Sequence, residues 1–423
     1  MNTHEKENAA EKSAEIKKKK RRVTLTTGKK VAITVILAIY ILVLMATSLF
    51  VFYRPNADRS SLTAVLTQTD IDGNVITDEH GNAVTDIIEV DPDKDVDAYN
   101  ILLLGHDRAA MLTDVFMIVN IDNRVGSINI MQIPRDTWIS DIDGYSVATN
   151  KINAVFSTYY NSYRYAEGMD DSEAYNAALS SLSELIEKNL FINIDYSVIM
   201  DLDGFQKIVD ILGGVELYVE QPMIYNDPGQ GLYINIPAGY QTLNGAQAEG
   251  FVRYRYGYAT ADLGRQNAQK QFMSALFDKA KSTLSLSNVD KLTEIANAIY
   301  TYVDTDMSVA DILFFAKSLL KCDLANMNMR TMPGNLVNVP YGSYWLDYYI
   351  MNREAVYNIL NTYFNLNSTD IPEAAFDNKR VFNSSVYGQI NYAYNLPENE
   401  VFDSTVFNGE EVNKDGVNLP WLN

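Results

Sequence analysis

Residues 195–220 confine this chain to an α/β architecture more firmly than any other stretch of it. A short apolar run, YSVIM, is followed by DGFQKIVDILGG and then by VELYVE. Phe205, Ile208, Val209 and Leu212 follow the i, i+3, i+4, i+7 spacing of one buried helical face. Asp203 is placed to cap the helix start, and Gly213-Gly214 to end it. The unit reads strand, helix, strand.

Elsewhere the pattern is similar. ILLLG at 101–105 is a continuously apolar run that suits a strand covered on both faces. DVFMIVNID (114–122) and VGSINIMQI (125–133) predict two further strands joined through Asn123-Arg124. Pro134 ends the second and leaves Arg135 at a strand mouth. Helices are expected from Asp262 to about 282, at about 288–303, at 308–321 opened by Ser308, and at about 352–364.

Val31 to Tyr53 is a run of 23 residues without a formal charge, long enough at about 1.5 Å per residue to cross a hydrocarbon core. It reads as an N-terminal transmembrane helix rather than a cleaved signal peptide, whose apolar region runs to about 7–15 residues. Residues 1–30 carry ten Lys/Arg against four acidic residues, which keeps that end cytoplasmic. Subtracting this +6 from the net charge of −20 leaves −26 for residues 31–423. An acidic extracytoplasmic body disfavours nucleic acid as a partner. One cysteine, Cys322, excludes an internal disulfide, and His4, His80 and His106 lack zinc-ligand spacing. DIDGNVITDEHG at 70–81 has Val75 and Gly81 where an EF-hand needs glycine and glutamate, so it is not one. The repeated GNVITD (73–78) and GNAVTD (81–86) predict a small β-ribbon or an acidic spacer.

Against that acidity, FVRYRYGYATADLGRQNAQKQF (251–272) gathers Arg253, Arg255 and Arg265. Read as a strand, FVRYRY puts Arg253 and Arg255 on one face. On the following helix Arg265 and Gln269 share a face, with Asp262 at the N-terminus. Guanidinium forks and a helix start both favour phosphate oxygens. Asp107 and Asp114 fall near the ends of adjacent predicted strands, where Mg²⁺ or Mn²⁺ could join them to a phosphate. The bland alternatives are a solvated arginine face, caps formed by Asp107 or Asp262, and a solvated Lys151.

The ordered series GHD (105–107), TD (113–114), IPRD (133–136), KIN (151–153), DGFxxxVDxLGGVE (203–216), LNGxQA (243–248) and VRYRxxxxxDxGRQxxQ (from 252) resembles the LytR-CpsA-Psr family of bacterial cell-wall glycopolymer ligases. The resemblance implies a mixed central β-sheet flanked by helices, and a metal-dependent phosphotransferase. Such an enzyme moves a glycopolymer from an undecaprenyl-pyrophosphate carrier to peptidoglycan, forming a phosphodiester. It implies Asp107 and Asp114 as Mg²⁺/Mn²⁺ ligands and Arg135, Arg253, Arg255 and Arg265 as the pyrophosphate clamp, with Asp262 and Gln269 orienting arginines. Arg108, Asp136 and Lys151 fall in the same motifs as substrate-binding positions. The short AAML loop between the two aspartates, with leucine at 112, departs from the family pattern, and the alternatives are that Arg108 takes over from the arginine usual there or that the site is weakened. A non-catalytic glycopolymer-binding scaffold and a lipid pyrophosphate hydrolase are the alternatives. The expected organisation is a basic tail (1–30), an anchor (31–53), a spacer or ribbon (54–98), the main domain (99–365) and an extension (366–423), the body lying outside the membrane.

Overall fold

In a computed structural model, the described residues are 53–68, 70, 75–106, 111–139, 151–255, 257–258, 262–283, 289–322, 327–341, 344–374, 391–394 and 403–404. The apolar segment 31–53 lies outside them except for Tyr53. Among the described residues no helix is long and apolar enough to cross a membrane. Residues Pro55–Asn423 form one compact unit and Met1–Arg54 another.

The strands are β1 (Leu62–Thr67), β2 (Thr85–Val90), β3 (Ala98–His106), β4 (Thr113–Asp122), β5 (Ser127–Ile133), β6 (Tyr196–Asp201), β7 (Val215–Val219), β8 (Met223–Asp227), β9 (Leu232–Ile236), β10 (Gly239–Leu243), β11 (Val303–Thr305), β12 (Met327–Thr331), β13 (Gly334–Tyr341), β14 (Tyr344–Met351), β15 (Asn391–Tyr394) and β16 (Asp403–Ser404). The helices are α1 (Val155–Asn161), α2 (Asp171–Leu190), α3 (Leu202–Leu212), α4 (Gly245–Arg253), α5 (Asp262–Thr283), α6 (Val289–Tyr302), α7 (Val309–Lys321) and α8 (Arg353–Tyr363).

A mixed seven-stranded sheet in the order β11-β6-β3-β4-β5-β12-β16 forms the centre. β3, β4 and β5 are an antiparallel meander, with β6 parallel to β3 and β12 parallel to β5. Its central strands are apolar on both faces because both are covered. Leu102, Leu104, Phe116, Ile118 and Met131 meet Phe156, Leu182 and Leu360 of α1, α2 and α8. Ile101, Met117, Val119 and Ile130 meet Phe315 of α7 and, less buried, Met273 and Phe277 of α5. Each such side chain removed from water contributes about 1.5–3 kcal/mol. The mixed sheet flanked by helices is the architecture expected from the motifs.

The strand, helix, strand unit is present, with two differences. α3 is capped by Asp201, whose Oδ1 accepts from Gly204 N at 2.7 Å, rather than by Asp203. Gly204 fits there because a Cβ would lie 2.4 Å from Tyr302 O. After the left-handed Gly213 and Gly214, β7 does not return to the sheet of β6; it pairs antiparallel with β10. Both strands pack with β9, α4 and α5 in a satellite core around Phe251 and Phe272. α5 starts at Asp262, α7 at Ser308 with a capping box to Asp311, and α8 follows Asn352 as N-cap.

Residues 54–98 do hold a small ribbon, but β1 precedes both Gly-Asn repeats and pairs with β2, while the repeats meet at the isolated bridge Thr77–Ala83, where Asn82 N donates to Asp78 Oδ1 at 2.8 Å. Leu62, Ala64 and Val90 join the main core.

Candidate functional site

β3 and β6 end side by side at His106 and Asp201, β5 ends nearby at Ile133, and β4, running the other way, begins there at Thr113. This edge of the sheet collects most of the sequence-predicted site residues on two sides.

On the side of α1 and β14, Arg135 Nη1 donates to Asp114 Oδ1 at 2.8 Å, and its Nε lies 3.6 Å from Asp136 Oδ2. Lys151 Nζ donates to Asp136 Oδ1 at 2.7 Å and stands 5.5 Å from the Tyr348 ring centroid. Asp114, Arg135, Asp136 and Lys151 therefore alternate in charge along one chain of contacts. The backbone fixes it: Thr137 N donates to Pro134 O at 3.0 Å, Asn153 N to Arg135 O at 3.2 Å, Ile152 N to Thr137 O at 2.9 Å and Tyr349 N to Asp136 O at 2.9 Å. IPRD and KIN are thus one structural piece, buttressed by β14. The side chain of Asp114 is 45% exposed and that of Arg135 26%, so both reach solvent and any ligand in it. Just before β4, Met111 takes a left-handed φ of 52° and packs against the main core. That conformation costs a non-glycine residue about 1–2 kcal/mol, so the turn entering the site is strained.

On the other side, α5 runs against β5. Gln132 Nε2 donates to Gln269 Oε1 at 2.7 Å, while Lys281, three turns further on, reaches Cys322 O beside Gly126 at the far end of the sheet. The N-terminal turns of α5, with Arg265, are consequently directed toward the same edge as Arg135. Arg265 and Gln269 do share a face, and both are buried. Gln269 Nε2 also donates to Val252 O at 3.2 Å, tying α5 to the turn before Arg253.

FVRYRY is not a strand. Asn244 opens α4 with a capping box to Gln247, and the helix continues through Phe251, Val252 and Arg253 before Tyr254 ends it at φ −64°, ψ 130°. Contact with β9 and α3 outweighs the strand preference of the aromatic and branched residues, as tertiary packing commonly does. Arg253 and Arg255 therefore do not alternate on one strand face. Arg253 Nη1 donates to Glu249 Oε1 at 2.5 Å, one helical turn back, and Glu249 Oε2 accepts from Gln206 Nε2 at 2.5 Å. Arg255 is exposed beyond the helix end. Asp107 and Arg108 lie outside the described residues, and Asp262 is placed by its backbone as the first residue of α5.

Other motif residues hold the scaffold. Asp210 Oδ1 accepts from Gly245 N at 2.8 Å, and a Cβ on Gly245 would stand 2.3 Å from Gln206 O. DGFxxxVD and LNGxQA are therefore the two halves of a close α3–α4 contact.

Among the described residues no group of three or more His, Cys, Asp or Glu could hold a metal ion. Asp114 nonetheless offers an exposed carboxylate at the mouth, and one or two carboxylates completed by phosphate oxygens suit a hard cation.

The fold is that of a mixed α/β protein whose central sheet carries an acid, an arginine turn and the start of helix α5 at one edge. A sequence profile of the LytR_cpsA_psr family matches residues 62–365, and the chain belongs to that family. It is 30% identical over 275 residues to the cell wall biosynthesis protein LcpA of Corynebacterium glutamicum, across 60% of this chain and 51% of that protein. It is 28% identical over 207 residues to the polyisoprenyl-teichoic acid–peptidoglycan teichoic acid transferase TagV of Bacillus subtilis, across 47% and 48% respectively. The chain spans about half the length of these curated relatives. The crystal structure of B. subtilis TagV superposes with a TM-score of 0.50 at 23% identity, over 63% of this chain and 95% of that one. Protein gbs0355 of Streptococcus agalactiae gives 0.51 at 18% identity, over 69% and 94%. These two structures speak for the fold.

Proposed function

We propose that this chain transfers a glycopolymer from a polyprenyl-pyrophosphate carrier to peptidoglycan. The observation that carries the reading is the Asp114–Arg135–Asp136–Lys151 chain at the sheet edge toward which Arg265 is directed. The family membership and the likeness to the teichoic acid transferase TagV support it.

In this reading a hydroxyl oxygen of the acceptor bonds to the glycan-linked phosphorus, the bridging P–O bond of the pyrophosphate breaks, polyprenyl phosphate leaves, and the hydroxyl proton passes to solvent or to the leaving phosphate. Negative charge grows on the non-bridging oxygens and the leaving phosphate. Arg135, already oriented by Asp114 and Asp136, receives the first, and Arg255 and Arg265 the second. Asp136 orients rather than accepts the proton, because both of its oxygens face cations. Asp114, together with Asp107, would hold Mg²⁺ or Mn²⁺, whose bound charge offsets that of the phosphates. Residues 31–53 would tether the body to the outer face of the membrane, within reach of the lipid carrier.

The test uses the purified full chain in detergent, a polyprenyl-pyrophosphate-linked saccharide and peptidoglycan, with and without Mn²⁺. Release of polyprenyl phosphate with polymer bound to glycan is expected, falling about 10²–10³-fold in Arg135→Ala. Free polymer would make the chain a hydrolase, and binding without release a scaffold; either outcome overturns the transfer reading.

A further inference from the structure

At the opposite end of the sheet from Arg135, a cavity of about 470 Å³ lies between β4, β5, β12 and the C-terminal end of α8. Its size falls within the roughly 300–1,000 Å³ of small-molecule sites. The floor is a row of amides. Asn328 Nδ2 donates to Asn129 Oδ1 at 3.0 Å, Asn129 Nδ2 to Asn120 Oδ1 at 3.4 Å, and Asn120 Nδ2 to Asn100 Oδ1 at 2.9 Å. Asn100 Nδ2 then closes the row on Asn193 O at 2.9 Å and Phe364 O at 2.8 Å. Asn100, Asn120 and Asn129 are 0%, 2% and 4% exposed, so this is a built feature of the interior, running in one direction across four adjacent strands.

The direction matters chemically. Both N–H bonds of Asn100 are used, and Asn129 Nδ2 donates to Ser127 Oγ at 3.5 Å as well as to Asn120, whereas Asn120 and Asn328, which line the cavity, each carry a second N–H. Asn328, at the open end of the row, also presents its carbonyl oxygen. The cavity therefore offers donors and an acceptor held in fixed positions by the ladder. Formal charge on the wall is compensated internally, since Arg124 Nε and Nη2 form a fork with Asp122 at 2.9 and 2.7 Å. Tyr363 adds an aromatic wall, steadied by the Arg330 guanidinium 4.2 Å from its ring centroid. Fixed planar amides, an internally neutral rim and an aromatic ring match a neutral ligand with several hydroxyl or acetamido groups.

We propose that this cavity binds a unit of a neutral saccharide, separate from the pyrophosphate mouth. Along β4, Asp114 and Asp122 are eight residues apart, roughly 26 Å at about 3.3 Å per residue, so one long glycan can engage both ends of the sheet. The proposal stands on the cavity alone and does not require the transfer reading; if both hold, the cavity is a second grip on a polymer that reacts elsewhere.

The full chain in detergent is titrated with the β-1,4-linked tetramers chitotetraose and cellotetraose, by calorimetry and saturation-transfer NMR. Saturable binding of at least one, in the millimolar range or tighter, is expected. Asn328→Leu removes the open end of the ladder, and Thr362→Trp fills the cavity from an exposed rim position. Each is expected to weaken binding about tenfold or more with Tm retained, while Arg135→Ala leaves it unchanged. Absence of saturable binding to both tetramers overturns the proposal, as does binding that ignores Asn328→Leu and Thr362→Trp. Loss in Arg135→Ala would place the sugar at the other end and overturn it as well. A chain that transfers no polymer yet binds the tetramer in this pattern fails the transfer reading and keeps this one.

Discussion

Asp136 holds two cations at once, Lys151 Nζ at 2.7 Å and Arg135 Nε at 3.6 Å, while Arg135 spends a further nitrogen on Asp114. Residues that share a network in this way do not contribute independently. Asp136→Asn and Lys151→Met are each expected to lower kcat/KM for transfer about tenfold, about 1.4 kcal/mol, and the double variant to cost little more than either alone. Steady-state kinetics of the four proteins checks this; additive losses would mean that Lys151 acts on substrate without Asp136. The motif residues IPRD and KIN were legible from their order in the sequence, but their physical connection was not. It runs through backbone bonds from Asn153 and Ile152, which no side-chain pattern records. The amide ladder was missed for a different reason. Asparagine is depleted in strands, and AYNILLLGH, TDVFMIVNID and SINIMQI each place one in an otherwise apolar run. That anomaly was the available signal.

Helix α2 contains an acid in an unusual setting. Burial pushes the Glu187 carboxyl from 4.5 up to about 7, with Asp195 and Glu184 adding to the rise, although Ile194 N donates to its Oε1 at 2.6 Å. The folded chain thus binds this proton more tightly than the unfolded one. Its contribution to stability is fully present below about pH 4.5 and is lost as pH rises toward 7, a swing of about 2–3 kcal/mol. Glu187→Gln, which mimics the protonated acid, is expected to flatten the stability profile across that window in urea unfolding at several pH values. A slope equal to that of the parent would assign the pH dependence to other groups. The α3–α4 contact gives a simpler expectation. Gly245→Ala forces a Cβ toward the backbone of Gln206 and should destabilise by about 1–3 kcal/mol, read as a lower denaturant midpoint. At this scale most elements were legible. Periodicity and caps located α5 to α8, because Asp262, Ser308 and Asn352 are local signals. FVRYRY failed because its strand-like side chains are overruled by the Asn244 capping box and by packing on β9, neither of which lies within the hexapeptide.

The extent of the folded body is a property of the whole molecule, and it reaches further toward the N-terminus than the motifs do. Arg59 Nε and Nη2 form a fork with Asp195 at 2.6 and 3.0 Å, and the same guanidinium donates to Ala98 O at 2.5 Å and Asp93 O at 3.1 Å. The side chains of this pair are 4% and 0% exposed, and Asp195 also accepts from Asn100 N at 2.9 Å. One contact therefore joins the segment before β1 to the first strand of the central sheet and to the loop before β6. Sequence reading could treat 54–98 as a spacer because its acidic, turn-rich composition hides how few residues do the anchoring: Arg59, Leu62, Ala64 and Val90. Removing one partner of a buried ion pair leaves the other charge unsolvated, at a cost of about 3–5 kcal/mol, so Arg59→Ala should lower stability by that order. Burial already raises the Asp195 pKa, with Arg59 pulling it back down. In Arg59→Ala the carboxyl takes up a proton more readily, so the deficit should shrink as pH falls. Thermal melts at neutral and mildly acidic pH check the sign. A chain beginning at residue 55 should melt as the full chain does, whereas one beginning at residue 99 should lose cooperative folding; equal melting of the two would show that the ribbon and Arg59 are dispensable.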